Sequence, residues 1–166
     1  MKNKKIILYS AIIFVIAVVS FSLYLLFKMQ DKPFHIHADF KIYVNGKFLD
    51  FADEKYYEKS RFLHLDESEN KEKASGVLHM HAKDTSLWIF FDSIGFKFNK
   101  TCLETDSQSL CNNQDNNIKF YVNNQSNNEF ENYVFKDSDK ILISYGSVNE
   151  DIQEQLESIT NYSGER

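Results

Sequence analysis

The sequence predicts an α+β protein: a mostly antiparallel β domain with one packed helix, preceded by a single transmembrane helix. Three observations predict it. An apolar run near the N-terminus contains no charged residue, the segments after it alternate apolar and polar side chains with period two, and one later apolar segment is bracketed by helix start and stop signals.

The apolar run is IILYSAIIFVIAVVSFSLYLLF, Ile6 to Phe27. At 1.5 Å per residue it is long enough to cross a hydrocarbon core of roughly 30 Å. Lys2, Lys4, Lys5 and the α-amino group precede it, whereas Lys28 and Lys32 follow it with Asp31 between them. Positive charge stays on the cytoplasmic side, so residues 1–5 are expected inside, 6–27 as the anchor, 28–33 as a linker and the remainder outside the cell membrane. The following FKMQDKPF has no small-x-small cleavage site, which favours an uncleaved signal-anchor over a signal peptide.

The net charge of −5 and the lack of a basic cluster argue against nucleic acid as a partner. Residues 34–146 suffice for one core, with 147–166 expected as a polar C-terminal helix and a frayed tail. Cys102 and Cys111 fall in the outer, oxidising region. Their spacing suits a disulfide contributing about 2–3 kcal/mol better than a redox pair, which favours C-x-x-C. Three N-x-[ST] matches, at Asn99, Asn124 and Asn161, are compatible with an outer location and carry no further weight.

Along the domain, FHIHADFKIYV (34–44) places Phe34, Ile36, Ala38, Phe40, Ile42 and Val44 on one face of a strand. Asn45-Gly46 is a two-residue hairpin signal, and residues 47–51 are the expected return strand. Residues 52–61 carry no clear assignment. Residues 62–65 read as a short strand, 66–75 as a charged loop, and GVLHMHA (76–82) as a further strand. Asp84-Thr-Ser starts a helix containing Leu87, Trp88, Phe90, Phe91 and Ile94, which Gly95 ends. A third β block comprises IKFYVNN from Ile118, residues 133–135 and KILISY (140–145). KIYVNGKFLDF and KFYVNNQ are alike enough to suggest a repeated hairpin.

The chemistry lies with the histidines. All five, His35, His37, His64, His79 and His81, fall in one window, and four of them form two H-x-H pairs. On a strand, residues i and i+2 project from one face about 7 Å apart, here the face opposite the apolar one. If the two strands are neighbours, four imidazoles converge. An all-nitrogen set suits a copper or zinc ion. The expected metal ligands are His35, His37, His79 and His81, with His64 as a candidate fifth, and Asp39 and Asp66 as supporting carboxylates. A solvent-facing strand also tolerates histidine without any ligand, and Met80 and Trp88 read as core. No nucleophile elbow, H-E-x-x-H, P-loop or dinucleotide fingerprint is present, so no enzyme activity is expected. The expected role is membrane-anchored, extracytoplasmic metal binding, in metal handling or as an accessory to a membrane metalloenzyme. The alternative is a metal-free interaction module that holds an envelope protein.

The order HIHADFKIYVNGK, RFLHLDE, GVLHMHAKDTSLWIFFDSIG, two cysteines, KFYVNN and KDSDKILISYG resembles an uncharacterised family of small membrane-anchored extracytoplasmic proteins from archaea and candidate-phylum bacteria. That family carries H-x-H-A, G-x-[IL]-H-x-H and V-N-G…D-x-I-x-I-x-Y-G motifs. The resemblance spans Phe34 to Gly146 and implies architecture without activity, including β-grasp-like hairpin and helix elements. This chain departs in having Asp66 where relatives have a second histidine, which weakens His64 as a ligand, and Asn124 in place of a turn glycine.

Overall fold

The computed structural model describes residues 2–28, 33–67, 70 and 76–165. Two compact units divide the chain, Met1–Pro33 and Phe34–Arg166. The first contains α1 (Lys2–Lys28), of which Tyr9–Lys28 is long and apolar enough to cross a membrane. Large side chains along it, among them Ile13, Phe14, Phe21 and Phe27, are exposed. Such a surface is unfavourable in water and matched to lipid.

The second unit is α+β. Its strands are β1 (Ile36–Val44), β2 (Lys47–Phe48), β3 (Leu63–Leu65), β4 (Val77–Met80), β5 (Lys97–Phe98), β6 (Cys102–Glu104), β7 (Ser109–Cys111), β8 (Asn116–Val122), β9 (Gln125–Ser126) and β10 (Asp139–Ser147). Its helices are α2 (Trp88–Ser93) and α3 (Gln153–Glu157). The main sheet runs β3-β4-β1-β10-β8-β9, with β2 also paired to β1; β5, β6 and β7 form a second sheet. Antiparallel pairs predominate, as the alternation predicts. The exception is central: β1 and β10 run parallel, Ala38 opposite Asp139 through Val44 opposite Tyr145. The sheet is therefore mixed.

Local turn chemistry sets two of the hairpins. Asn45 (φ 50°) and Gly46 (φ 73°) join β1 to β2, and Asn123 (φ 51°) and Asn124 (φ 65°) join β8 to β9. Both central residues with φ > 0 match the twist of the flanking strands, and asparagine tolerates that region better than other non-glycine residues. The similarity between KIYVNG and KFYVNN thus corresponds to two like hairpins.

One face of the main sheet packs its alternate residues Ala38, Phe40, Ile42, Phe120, Ile141 and Ile143 against α2 and the second sheet. Phenylalanine dominates the filling. The Phe40 ring lies 5.5 Å from Phe51 and from Phe90, and Phe91 lies 4.9 Å from Phe98. Tilted and edge-to-face pairs of this kind add about 1 kcal/mol each beyond their buried area. Across the second sheet, Cys102 and Cys111 are directly opposed and disulfide-bonded, with Cα atoms 4.1 Å apart.

Several expectations need correction. The C-terminal segment is neither frayed nor separate from residue 147 onward. Leu142, on the far face of β10, packs with Ile152, Leu156 and Ile159, and Asp39, wholly buried, accepts from Thr160 Oγ1 (2.5 Å), the Tyr162 N–H (2.9 Å), and both the N–H and hydroxyl of Ser163. A central strand has two faces to cover, and the tail covers the second. Residues 133–135 are not a strand: they follow the 3-10 turn Phe130–Asn132, and Tyr133 and Phe135 enter the core from a loop. Asp84 (φ 58°) does not cap α2, whose N-cap position is Leu87, without a side-chain cap bond. Instead Thr85 Oγ1 donates to the Ala82 carbonyl (2.8 Å). The return strand ends at Phe48, because Phe51 turns into the core. Part of the charged loop, residues 68, 69 and 71–75, lies outside the described residues.

Candidate metal centre

The histidines are brought together by strand register. β4 lies between β1 and β3, antiparallel to both. His79 stands directly opposite His37 on one side and His64 on the other. One pleat along, the His81 N–H donates to the Phe62 carbonyl (2.8 Å) and continues the ladder. Since side chains two apart share a face, His35 and His81 form a second row beside the first.

Ring centroids within the cluster are close: 4.4 Å for His35–His37, 4.6 Å for His37–His79, 4.3 Å for His35–His81 and 4.9 Å for His64–His81. The ligand atoms of His35, His37 and His79 all lie within 4.8 Å of one another. His35 Nε2 and His79 Nδ1 are 3.4 Å apart. Tetrahedral bonds of ~2.0–2.1 Å space donor nitrogens about 3.4 Å apart, so this pair already has the span of a coordination edge.

Burial is graded across the cluster. His79 is 1% exposed and fixed by its position between two strands, whereas His35 is exposed. His81 remains exposed at its edge, yet the protein around its ring, then the neighbouring His35 and His64, hold its pKa below the ordinary imidazole value. That favours the neutral form, the one that offers a lone pair to a cation.

Two carboxylates meet the cluster. Asp66 places Oδ1 2.9 Å from His64 Nε2 and Oδ2 3.1 Å from His79 Nδ1. His64 Nδ1 also lies 2.5 Å from the Ser60 carbonyl. A carbonyl can only accept, so Nδ1 donates there. Its two ring nitrogens thus face Ser60 and Asp66. His64 adjoins the cluster, its ring stacked on those of His79 and His81 and its Nε2 against Asp66. Asp66 Oδ2 and His35 Nε2 both face Nδ1 of His79, so this carboxylate stands beside the donor nitrogen itself rather than behind the ring.

Asp39 lies on the same face as His35 and His37, but its oxygens receive the C-terminal tail. Asp137 takes a position at the cluster that sequence reasoning missed. Its Oδ1 accepts from the His37 backbone N–H (2.9 Å) and stands 3.9 Å from His37 Nδ1. The available signal was the turn-rich K-D-S-D-K before β10. Met80 is fully buried in the apolar core. Cys102 and Cys111 are joined to each other in the second sheet and supply no thiolate.

No protein-family model, no curated protein and no solved structure matches this chain, so the site is read from its own geometry.

Proposed function

We propose that this protein binds one transition-metal ion, copper or zinc, through His35, His37, His79 and His81 on the outer side of a membrane that α1 crosses. The observation that carries the reading is the meeting of the His35, His37 and His79 ligand atoms within 4.8 Å, with His81 stacked on His35. An all-imidazole set suits Cu²⁺ and Zn²⁺ among common divalent ions. The apolar helix and the disulfide fit an extracytoplasmic domain, and the lysines before Ile6 support an inward N-terminus. Metal handling, or service to a membrane metalloenzyme, is the role that anchoring and a partly open site favour. The parallel β1–β10 pair flanked by hairpins supports a β-grasp-like architecture, and the H-x-H motifs support membership of the small membrane-anchored family they resemble.

The test is metal stoichiometry. Full-length protein in detergent is stripped with chelator, reloaded separately with Cu²⁺ or Zn²⁺, desalted and assayed by elemental analysis. One retained equivalent, lost in the His79→Ala/His81→Ala variant, is expected. Failure to retain metal, or equal retention by the variant, overturns the reading in favour of the metal-free interaction module.

A further inference from the structure

The domain carries an aromatic surface next to the point where its chain enters. Trp88, the only tryptophan, is 48% exposed and Phe62 is 41% exposed. They line one hollow with Ala82, Asp84, Thr85, Ser86 and Ile89. Trp88 also borders a second hollow with Phe91, Asp92, Phe96, Lys97 and Phe98. The Arg61 guanidinium stands 4.7 Å over the Phe62 ring, and the exposed Lys83 follows Ala82. Exposed aromatics beside basic side chains are the composition found at the boundary between headgroups and acyl chains.

Topology locates this surface. Ile36 begins β1 opposite Met80, and His35 stacks on His81, whose N–H bonds Phe62. The chain therefore enters the domain at the end of the sheet that bears Phe62 and Ala82. Six residues separate Lys28 from His35, a span of at most about 25 Å when fully extended. The entry end of the domain is therefore tethered within that distance of the outer end of α1.

Resting on the anchoring part of the proposed function, we infer that the Phe62–Trp88 surface docks on the lipid bilayer that α1 crosses, with the two rings at the headgroup–acyl boundary and Arg61 and Lys83 toward lipid phosphates. Docking holds the histidine end of the sheet at the membrane surface.

Trp88 is its own reporter. The full chain is placed in vesicles of phosphatidylcholine and phosphatidylglycerol, with or without bromine on the upper acyl chain, and tryptophan emission is recorded. A second protein, Trp88→Phe/Phe21→Trp, reports on α1. The expected result is loss of emission in brominated vesicles for both proteins, with the Trp88 loss reversed by Phe62→Ser/Arg61→Glu. Quenching of the Phe21→Trp reporter without quenching of Trp88 overturns lipid docking and leaves a protein as the occupant of the surface. Absence of quenching in both overturns the anchoring reading and this inference with it.

Discussion

The carboxylate of Asp39 accepts hydrogen bonds from both the backbone N–H and the hydroxyl of Ser163, 124 residues further along the chain. Thr160 and Tyr162 complete the ring of donors. A buried carboxylate so fully supplied anchors the chain end to the strand that carries His35 and His37.

Asp39→Ala should therefore destabilise the folded domain by about 3–5 kcal/mol, because it orphans several buried donors together. Urea unfolding followed by circular dichroism measures this. A loss below about 1 kcal/mol would show that the tail contributes little. Hydrogen exchange at Tyr162 and Ser163 should accelerate in the same variant.

Asp66→Asn should weaken metal binding by roughly 10-fold or more with little change in fold, since the lost negative charge stands beside the donor nitrogen of His79 and engages His64. Competition titration against a chromophoric chelator reads the affinity. Unchanged affinity would mean that strand register alone positions the His79 ring.

Acid should act on the cluster through His81. Its folded-state pKa lies below the unfolded value, so the folded protein takes up the proton less readily than the unfolded chain. The stability associated with neutral His81 is then fully present above about pH 6.5 and is lost as pH falls from there through the lowered folded-state pKa. Metal-free His81→Gln should show a shallower decline across that window than metal-free wild type, measured by urea midpoints at several pH values. Parallel declines would remove His81 from the account.

Replacing both cysteines by serine should cost about 2–3 kcal/mol and leave metal affinity unchanged, because the disulfide lies in the β5-β6-β7 sheet and the histidines lie in the other. A large fall in affinity with the fold retained would indicate coupling between the sheets. Metal itself should stabilise the wild type: free ion at one hundred times Kd adds about 2.7 kcal/mol, and His79→Ala/His81→Ala should abolish that increment.

What was legible in the sequence was local. The Asn45-Gly46 turn, the period-two strands and the placing of both H-x-H pairs on the face opposite Ala38 and Met80 follow from rules spanning a few residues, and the structure follows them. Convergence of the histidines depended on whether β1 and β4 are neighbours, which alternation cannot reveal. The parallel β1–β10 pair, the bridge from Asp66 to His79 and the tail's hold on Asp39 all join distant segments. Each is decided by packing. Tyr133 and Phe135 alternated like strand residues because a loop that buries two aromatic rings can carry the same spacing.

The parallel pair also fixes when the domain can be completed. β1 is the first strand made and β10 the last, and they lie side by side at the centre of the sheet. During synthesis β1 therefore waits with one edge bare while some hundred residues follow, and Asp39 waits longer, until Ser163 arrives. Long-range closure of this kind is slow and leaves an open strand edge exposed meanwhile. A chain interrupted before Asp139 leaves that edge of β1 unpaired and separates β8 and β9 from the rest of the sheet.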